Sequence, residues 1–279
     1  MRGSFIPLSK DFMLNKILFH RFPKLKSLLT RLQYEYVSTI VKDTGAVFMN
    51  FGYTAHHQGA EPLKLRPEDE YHRYPLQLYH HVAKHVDWNN AEALEVSSGR
   101  GGGAHFIMRY FKPKSYIGVD FSQRAVEFCR QTYRIAGLQF QHGNAEDLKF
   151  PDNSFDVVLN IEASLYYPNI KKFFQHVQRV LKPGGHFLYA DLRYEEKVNE
   201  WHNQIKQIGW KVIKEEDITE NVLKALELDR EQRIRLVKRY VPKILHRLFY
   251  EFQGLTKNPK DGVPHLDNRK YWLFVLQKT

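Results

Sequence analysis

Four glycines follow a short apolar run in the stretch ALEVSSGRGGGAHF, which covers residues 93–106. They are Gly99, Gly101, Gly102 and Gly103. An apolar run, a glycine-rich turn and a second apolar run, in this order, predict a strand, a tight turn and a helix. Backbone N–H groups at such a turn bind anionic or polar groups, and glycine lets a ligand approach the backbone closely. The turn is therefore the first candidate binding site.

Two acidic side chains indicate the kind of ligand. Glu95 stands inside the first predicted strand, where its carboxylate would repel a pyrophosphate but could pair with an ammonium group. Asp120 ends the next strand, 19 residues after Gly101, a spacing that places an acid on a ribose diol. Asn144 and the N–H of Ala145 follow a third strand, where the edge of an adenine would lie. A ligand with a ribose, an adenine and an ammonium group but no pyrophosphate is S-adenosylmethionine.

These residues need a sheet to bring them together. From residue 92 onward strands and helices alternate with short connections, which predicts a doubly wound α/β fold with a seven-stranded, mostly parallel sheet. Predicted strands cover residues 92–98, 115–120, 138–143, 155–163, 186–192, 210–217 and 271–278. Predicted helices cover residues 102–111, 122–137 and 169–181, and a helical insertion covers about residues 219–253.

The chain before residue 76 lacks this alternation, so we divide it into an N-terminal helical extension with a lid, residues 1–75, and a core, residues 76–279. Residues 1–31 contain seven bases and one acid, and apolar residues recur at helical spacing from Leu25 to Tyr36. A lid helix packed on the core of the protein explains this pattern best. A helix lying on an anionic membrane is the alternative.

The formal net charge of +11 calls for an anionic neighbour, and nucleic acid, phospholipid or an acidic small molecule would each satisfy it. The basic segments lack the interleaved aromatic residues that stack bases, which disfavours nucleic acid. The sequence shows no apolar run long enough to cross a bilayer and no secretory signal, so we expect a cytoplasmic location.

Metal binding is the weakest of the candidate chemistries. Cys129 is the single cysteine, which excludes a cysteine-rich zinc site. His81 and His85 have the i, i+4 spacing that can hold zinc, but no third ligand of recognised spacing accompanies them. We therefore predict no metal site.

Four motifs in sequence order resemble those of class I S-adenosylmethionine-dependent methyltransferases: LEVSSGRGG, YIGVDFS, GNAEDLKFPDNSFDVVL and VLKPGG. Two departures stand out, since Ser97 replaces the usual first glycine and Asn144 replaces the usual aspartate near the adenine. An asparagine still accepts a hydrogen bond through its amide oxygen. The resemblance implies a cofactor-binding set of Tyr53, Glu95, Ser97, Gly99, Gly101, Asp120, Phe121, Asn144, Ala145 and Glu162.

A narrower resemblance covers most of the chain. The segments FMNFGY, LYHHVA, VVLNIEAS, YADLR and EFQG are similar to those of the mycobacterial enzymes that O-methylate phthiotriolone-type waxes and phenolic glycolipids. Polyketide, tocopherol and sterol methyltransferases are more distantly similar. The resemblance implies a hydrophobic acceptor with a hydroxyl group, and a lid segment that carries Tyr53. Methylation of a carbon atom of a quinol or sterol is the alternative, and a non-catalytic cofactor-binding module is a third hypothesis.

Candidate catalytic residues follow strands four and five, because ligands of open parallel sheets bind outside the carboxyl ends of the strands. Asp191 is our first choice of general base, with Tyr166 or Tyr167 orienting the acceptor. The alternative for Asp191 is a cap on the next helix or an ion pair with Arg193. The related enzymes often carry a histidine after strand four, which this chain lacks, so His57 in the lid loop is the alternative base.

Overall fold

The computed structural model describes residues 44–55, 63–255 and 268–279, together with Glu35, Tyr36, Thr39 and Leu266. The strands are β1 Glu92–Val96, β2 Ser115–Asp120, β3 Leu138–His142, β4 Phe155–Ile161, β5 Leu181–Tyr194, β6 Lys211–Asp217 and β7 Arg269–Gln277. The helices are α1 Arg73–Ala83, α2 Gly102–Tyr110, α3 Gln123–Thr132, α4 Ile170–Val180, α5 Glu195–Lys206, α6 Thr219–Tyr240 and α7 His246–Phe252.

All of these strands join one sheet in the order β3-β2-β1-β4-β5-β7-β6. The five strands from β1 to β5 run parallel, whereas β7 lies antiparallel between β5 and β6. The predicted seven-stranded, mostly parallel fold is confirmed. Carboxyl ends of β1, β2, β3 and β4 consequently meet at one edge of the sheet, and this edge carries the residues predicted to bind a ligand.

Alternating side chains of the central strands fill two apolar layers. Ala93 and Val157 pack on one face with residues of α1, α2, α3 and α6. Leu94 and Val158 pack on the other face with residues of α4 and α5. Because both faces are covered, the central strands read as nearly continuous apolar runs, which is why the sequence predicted them to within a few residues.

Several elements differ from the sequence predictions. Helix α3 ends at Thr132, before the predicted residue 137, and β5 begins at Leu181, before the predicted residue 186. Helix α5 was not predicted, although Val198, Trp201 and Ile205 have helical spacing and the last two are buried. The helical insertion is interrupted where the sequence predicts a break, at Pro242, since α6 ends at Tyr240 and Val241 takes an extended conformation before the proline. A 3-10 turn, Lys243–Leu245, then leads into α7.

The structure describes only part of the predicted N-terminal extension. Residues 1–34 and 56–62, which contain most of the predicted basic helix together with His56 and His57, lie outside the described residues. The proposed boundary between residues 75 and 76 falls inside α1, whose Leu76 and Leu78 are buried in the core. Within the described ranges, no helix combines the length and apolar character needed to cross a membrane.

Candidate functional site

A cleft of about 1130 Å³, counting its open mouth, lies at the carboxyl ends of β1 to β4. The glycine turn after β1, Asp120 at the end of β2, residues 144–146 after β3 and the segment after β4 line it. Residues 47–50 complete the wall from the N-terminal side. These belong to residues 47–55, which we call the strap. The cleft occupies the position where open parallel sheets bind their ligands.

The glycine turn has a backbone that side chains would obstruct. Gly101 has a φ of 74°, and an added Cβ would lie 2.8 Å from the rings of Tyr133 and Phe140. A Cβ on Gly103 would lie 1.9 Å from the ring of Tyr79. Gly101 is also the N-cap residue just before α2, in the left-handed conformation that favours glycine. A side chain at either position would therefore collide with a packed aromatic ring. Gly99 and Gly103 line the cleft, whereas Gly101, also predicted to bind the ligand, is absent from the wall in the described part of the chain.

Ser97, the substitute for the usual first glycine, also takes a left-handed conformation, with a φ of 61°. Its Oγ lies 2.6 Å from the Oη of Tyr167, which accepts a hydrogen bond from Asn160 Nδ2 at 2.9 Å. Burial raises the pKa of Tyr167. Tyr167 lines the cleft, but its hydroxyl is engaged in holding the turn, which leaves the predicted role in orienting an acceptor to Tyr166.

Asp120 is held in place by backbone donors. Its Oδ2 accepts a hydrogen bond from Gly99 N–H at 2.8 Å, and its Oδ1 accepts one from Ser122 N–H at 2.9 Å. Each oxygen keeps a lone pair for a further donor. Phe121, next in the chain, lines the cleft with 44% of its surface exposed. A fixed carboxylate beside an exposed ring has the chemistry expected for a ribose and a base.

The loop after β3 closes on itself. The Oδ1 of Asn144 accepts a hydrogen bond from Glu146 N–H at 3.0 Å, so this amide oxygen stabilises the loop. Asn144, Ala145 and Glu146 all line the cleft. The predicted adenine-binding pair thus lies in the cleft next to Asp120, and its contact with a ligand stays a prediction.

Glu95 has a different environment from the one expected. It is 1% exposed and is absent from the cleft wall in the described part of the chain. Its carboxylate accepts hydrogen bonds from Tyr79 Oη at 2.7 Å and Tyr116 Oη at 3.0 Å. Burial raises the pKa of Glu95 to about 7. The geometry therefore disfavours the direct ammonium contact expected from the sequence, and Tyr79 is the residue that faces the cleft.

Asp191 does not reach the cleft either. It has no exposed surface, and its Oδ2 accepts hydrogen bonds from Ser164 Oγ at 2.5 Å and Leu165 N–H at 3.2 Å. Its Oδ1 accepts one from Leu192 N–H at 2.7 Å, and Arg193 forms an ion pair with it at 3.3 Å. A carboxylate with all these partners has no direct route to an acceptor, so the geometry disfavours Asp191 as a base and supports the alternative of a structural ion pair.

Glu162 is the acid after β4 that does line the cleft. Its backbone has a φ of 53°, and its N–H donates to Ala190 O at 2.8 Å. Its carboxylate accepts hydrogen bonds from Phe51 N–H at 2.8 Å and from Tyr271 Oη at 3.2 Å. Burial raises the pKa of Glu162 to about 8. A perturbed carboxylate in a cleft is a candidate for proton transfer.

The remaining predicted residues have mixed outcomes. Tyr166 lines the cleft, and burial raises its pKa. Tyr53 is buried outside the cleft wall, where its ring stacks on His81 with a centroid distance of 4.0 Å. His57 lies outside the described residues. Among the described residues, no group of three or more histidine, cysteine, aspartate or glutamate side chains is arranged to hold a metal.

Some cleft residues were missed in the sequence analysis. Tyr79 and strap residues Phe48, Met49 and Asn50 line the wall. The strap residues belong to the FMNF segment, whose apolar residues have neither helical nor strand periodicity, and Tyr79 belongs to the LYHHVA segment. Contacts between the strap and the core depend on residues far away in the chain, so local patterns do not reveal them.

Comparisons with known proteins point to methyltransferases. A family model described as a methyltransferase domain matches residues 94–189, from β1 into β5. A fatty-acid O-methyltransferase of Mycolicibacterium smegmatis is 37% identical over 80% of this chain and 80% of its own length. A phthiotriol/phenolphthiotriol dimycocerosates methyltransferase of Mycobacterium tuberculosis is 38% identical over 75% of this chain and 77% of its own.

Among solved structures, the cyclase SpnF has a similar fold. It has a TM-score of 0.66 and 17% sequence identity, with 88% of this chain and 94% of that chain covered. At this level of identity the likeness concerns the fold, and a fold hosts many reactions.

Proposed function

Because this chain belongs to the S-adenosylmethionine-dependent methyltransferases, we propose that it methylates a hydroxyl oxygen of a lipophilic small molecule. S-adenosylmethionine is its cofactor. The relatives named for fatty acids and for phthiotriols support a lipophilic acceptor. The choice of a hydroxyl is supported by one observation in particular, the placement of Glu162 in the cleft.

The residues of the cleft fit this cofactor. Asp120 would bind the ribose hydroxyls through its two fixed oxygens, and the loop of Asn144 and Ala145 would bind the adenine. The part of the turn that lines the cleft at Ser97 and Gly99 would take the methionine part. When bound, the cofactor supplies an electrophilic methyl group on a cationic sulfonium. The protein has to align the acceptor with that methyl group and keep water away.

An alcohol acceptor must also lose a proton, and we assign this proton to Glu162. Desolvation raises the pKa of its carboxyl to about 8, and this increases the proton affinity of the carboxylate. The positive charge of the bound cofactor would lower the pKa of Glu162 again and favour the ionised carboxylate, which can act as a base. Phe51 N–H and Tyr271 Oη hold the carboxylate in position. A positioned base typically contributes a factor of ~10² to 10⁴ in rate.

The charge of the cleft supports a neutral acceptor. Among the described residues of its wall, Glu35, Asp120, Glu146 and Glu162 are acidic and Arg100 is the basic residue. Arg100 has no exposed surface and packs with its guanidinium 3.7 Å from the centroid of the Phe128 ring. A carboxylate acceptor would be repelled by Glu162, whereas a hydroxyl would find a proton acceptor there.

The test is the site of methylation in the product. We would incubate the protein with methyl-labelled cofactor and matched long-chain acceptors that carry an alcohol, a carboxylic acid or an electron-rich phenolic ring. Mass spectrometry then assigns the label. Label in a methyl ether supports the proposal, whereas label only in a methyl ester or only on carbon contradicts it. The proposal includes a cytoplasmic location and peripheral contact with a membrane, since such acceptors partition into bilayers.

A further inference from the structure

The helical turn after α6 has an apolar surface on both sides. Phe249 and Tyr250 of α7 are buried and pack against Ile234 and Val237 of α6. The other side presents Ile244, which is 91% exposed, and Leu248, which is 52% exposed. These two residues are four positions apart in continuous helical turns, so they lie on the same side. Ile244 and Leu248 thus form a small apolar projection.

Basic residues lie close to this projection in the chain. Residues 233–248 contain six lysines and arginines and no acid. Lys238, Lys243 and Arg247 are exposed, and none of them forms an ion pair with another described residue. We call Ile244, Leu248, Lys238, Lys243 and Arg247 the α7 patch. The patch is positively charged around an apolar centre. A complementary binding partner therefore has an anionic surface with an apolar layer below it.

We propose that the α7 patch docks on the surface of an anionic lipid bilayer, with Ile244 and Leu248 entering the interfacial layer and the basic side chains contacting headgroups. A bilayer surface with anionic lipids has this combination of charge and apolar depth. Two exposed apolar side chains are far smaller than the apolar centre of a stable protein–protein interface. Two such side chains are sufficient for binding to a membrane surface, where electrostatic attraction to the headgroups adds to the shallow insertion of the apolar side chains.

A chain of contacts connects the patch to the cleft. Arg233 of α6 donates hydrogen bonds to Gln253 Oε1, just after α7, and to Asn50 O in the strap, each at 3.1 Å. Arg233 is also held by Asp229 at 2.9 Å, and both side chains are buried. The docking element therefore lies against the part of the chain that covers the cleft. Docking of the α7 patch on a bilayer is independent of the proposed function. The further claim, that docking brings the cleft to an acceptor dissolved in the membrane, rests on the proposed function.

The test is binding of the full chain to sedimented vesicles made of phosphatidylglycerol and phosphatidylcholine, compared with vesicles of phosphatidylcholine alone. One variant, Lys243→Gln with Arg247→Gln, removes two cations from the patch. Its control, Lys171→Gln with Lys172→Gln, removes two exposed cations from α4. A second variant, Ile244→Ser with Leu248→Ser, removes the apolar projection. Its control, Val212→Ser with Ile213→Ser, changes an exposed apolar pair on the edge strand β6.

We expect the parent to bind the anionic vesicles in preference to the neutral ones. The charge variant should lower the partition coefficient about thirtyfold, and the apolar variant at least tenfold. Each control should change it by less than about threefold. Retained binding in both patch variants, or no binding of the parent, would overturn the proposal. So would a dimer of the parent, seen without vesicles by sedimentation velocity, that the apolar variant converts into a monomer. Methyl transfer to a soluble alcohol in the same variants reports separately on the proposed function.

Discussion

The backbone N–H of Phe51 donates a hydrogen bond to the carboxylate of Glu162 across 2.8 Å. This contact joins the strap to the end of β4, 111 positions later in the chain. It connects the segment that covers the cleft with the acid that we propose as the base. Loss of either partner should therefore affect both closure of the cleft and proton transfer.

Replacing Glu162 with glutamine should lower kcat by about 100-fold or more, because the side chain keeps its shape but no longer accepts a proton. The amide oxygen still accepts the hydrogen bond from Phe51 N–H, so the dissociation constant of the cofactor should change by less than about threefold. Single-turnover methyl transfer and calorimetric titration of the cofactor measure the two effects separately.

Asp191→Asn is the informative comparison. Because Asp191 pairs with Arg193 in the interior, this variant should lose stability by about 3 kcal/mol or more. Its rate per folded molecule should stay within about threefold of the parent. A fall of 100-fold in Asp191→Asn, with a normal rate in Glu162→Gln, would return the base to Asp191.

Activity should rise with pH as Glu162 loses its proton. The pKa of this carboxyl is raised to about 8, and the proposed base works only in its ionised form. With saturating cofactor, kcat/KM for an alcohol acceptor should increase with pH and level off at or below about pH 8, since the cofactor's positive charge lowers the pKa. Glu162→Gln should have a flat profile. A parent profile that is already flat from about pH 5 to about pH 8 would contradict the assignment, because the carboxyl would then have no raised pKa.

Folding stability should fall as the pH rises from about 4.5 to about 7, because of Glu95. Its pKa is raised from 4.5 to about 7, so the folded state binds this proton more tightly than the unfolded state does. The resulting stabilisation is complete below about pH 4.5 and is lost as the pH rises through about 7, a total of about 3 kcal/mol. Urea unfolding at pH 5 and pH 8 measures it. Glu95→Gln, which does not titrate, should lose about 2.5 kcal/mol less over this interval, because part of the total is already lost at pH 5. Equal losses would show that Glu95 is not responsible.

Cofactor binding should depend on Asp120. Asp120→Ala removes the carboxylate proposed to bind the ribose, so the cofactor affinity should fall tenfold or more. Asp152→Ala, at an exposed turn after β3, should leave the affinity unchanged. Calorimetry with both variants, after circular dichroism has verified folding, decides the question. Equal affinities in the two variants would remove Asp120 from the site.

Gly101 of the glycine turn can be compared with Gly184 of β5, which serves as a matched control. Gly101 and Gly184 have nearly the same φ, 74° and 77°, but an added Cβ meets rings at 2.8 Å in the first and nothing within 4 Å in the second. Gly184→Ala should cost about 1 kcal/mol of the free energy of unfolding from the left-handed backbone alone. Gly101→Ala should cost about 1 to 3 kcal/mol more, because Tyr133 and Phe140 must move. Equal losses of stability in the two variants would indicate that the rings of Tyr133 and Phe140 move aside without a free-energy penalty.

The sequence by itself determined the elements and much of the cleft. Strand, turn and helix signals lie within a few neighbouring residues, and the alternation after residue 92 predicts a parallel sheet. Because parallel strands bring their carboxyl ends to one edge, the glycine turn, Asp120 and the Asn144 loop could be placed together without a structure. The motifs that indicated S-adenosylmethionine are local for the same reason.

Only the tertiary structure decided which carboxylate is available for chemistry. Glu95, Glu162 and Asp191 all stand in or just after strands. The sequence favoured Asp191 as the base and Glu95 as the ammonium partner, but Glu162 is the one of the three that lines the cleft. Their environments depend on distant partners: Tyr79 and Tyr116 for Glu95, Phe51 and Tyr271 for Glu162. Proton affinity and access depend on burial and on nearby donors, which are properties of the packed molecule. The same packing buries Asp191 against Arg193 and turns Glu162 into the cleft.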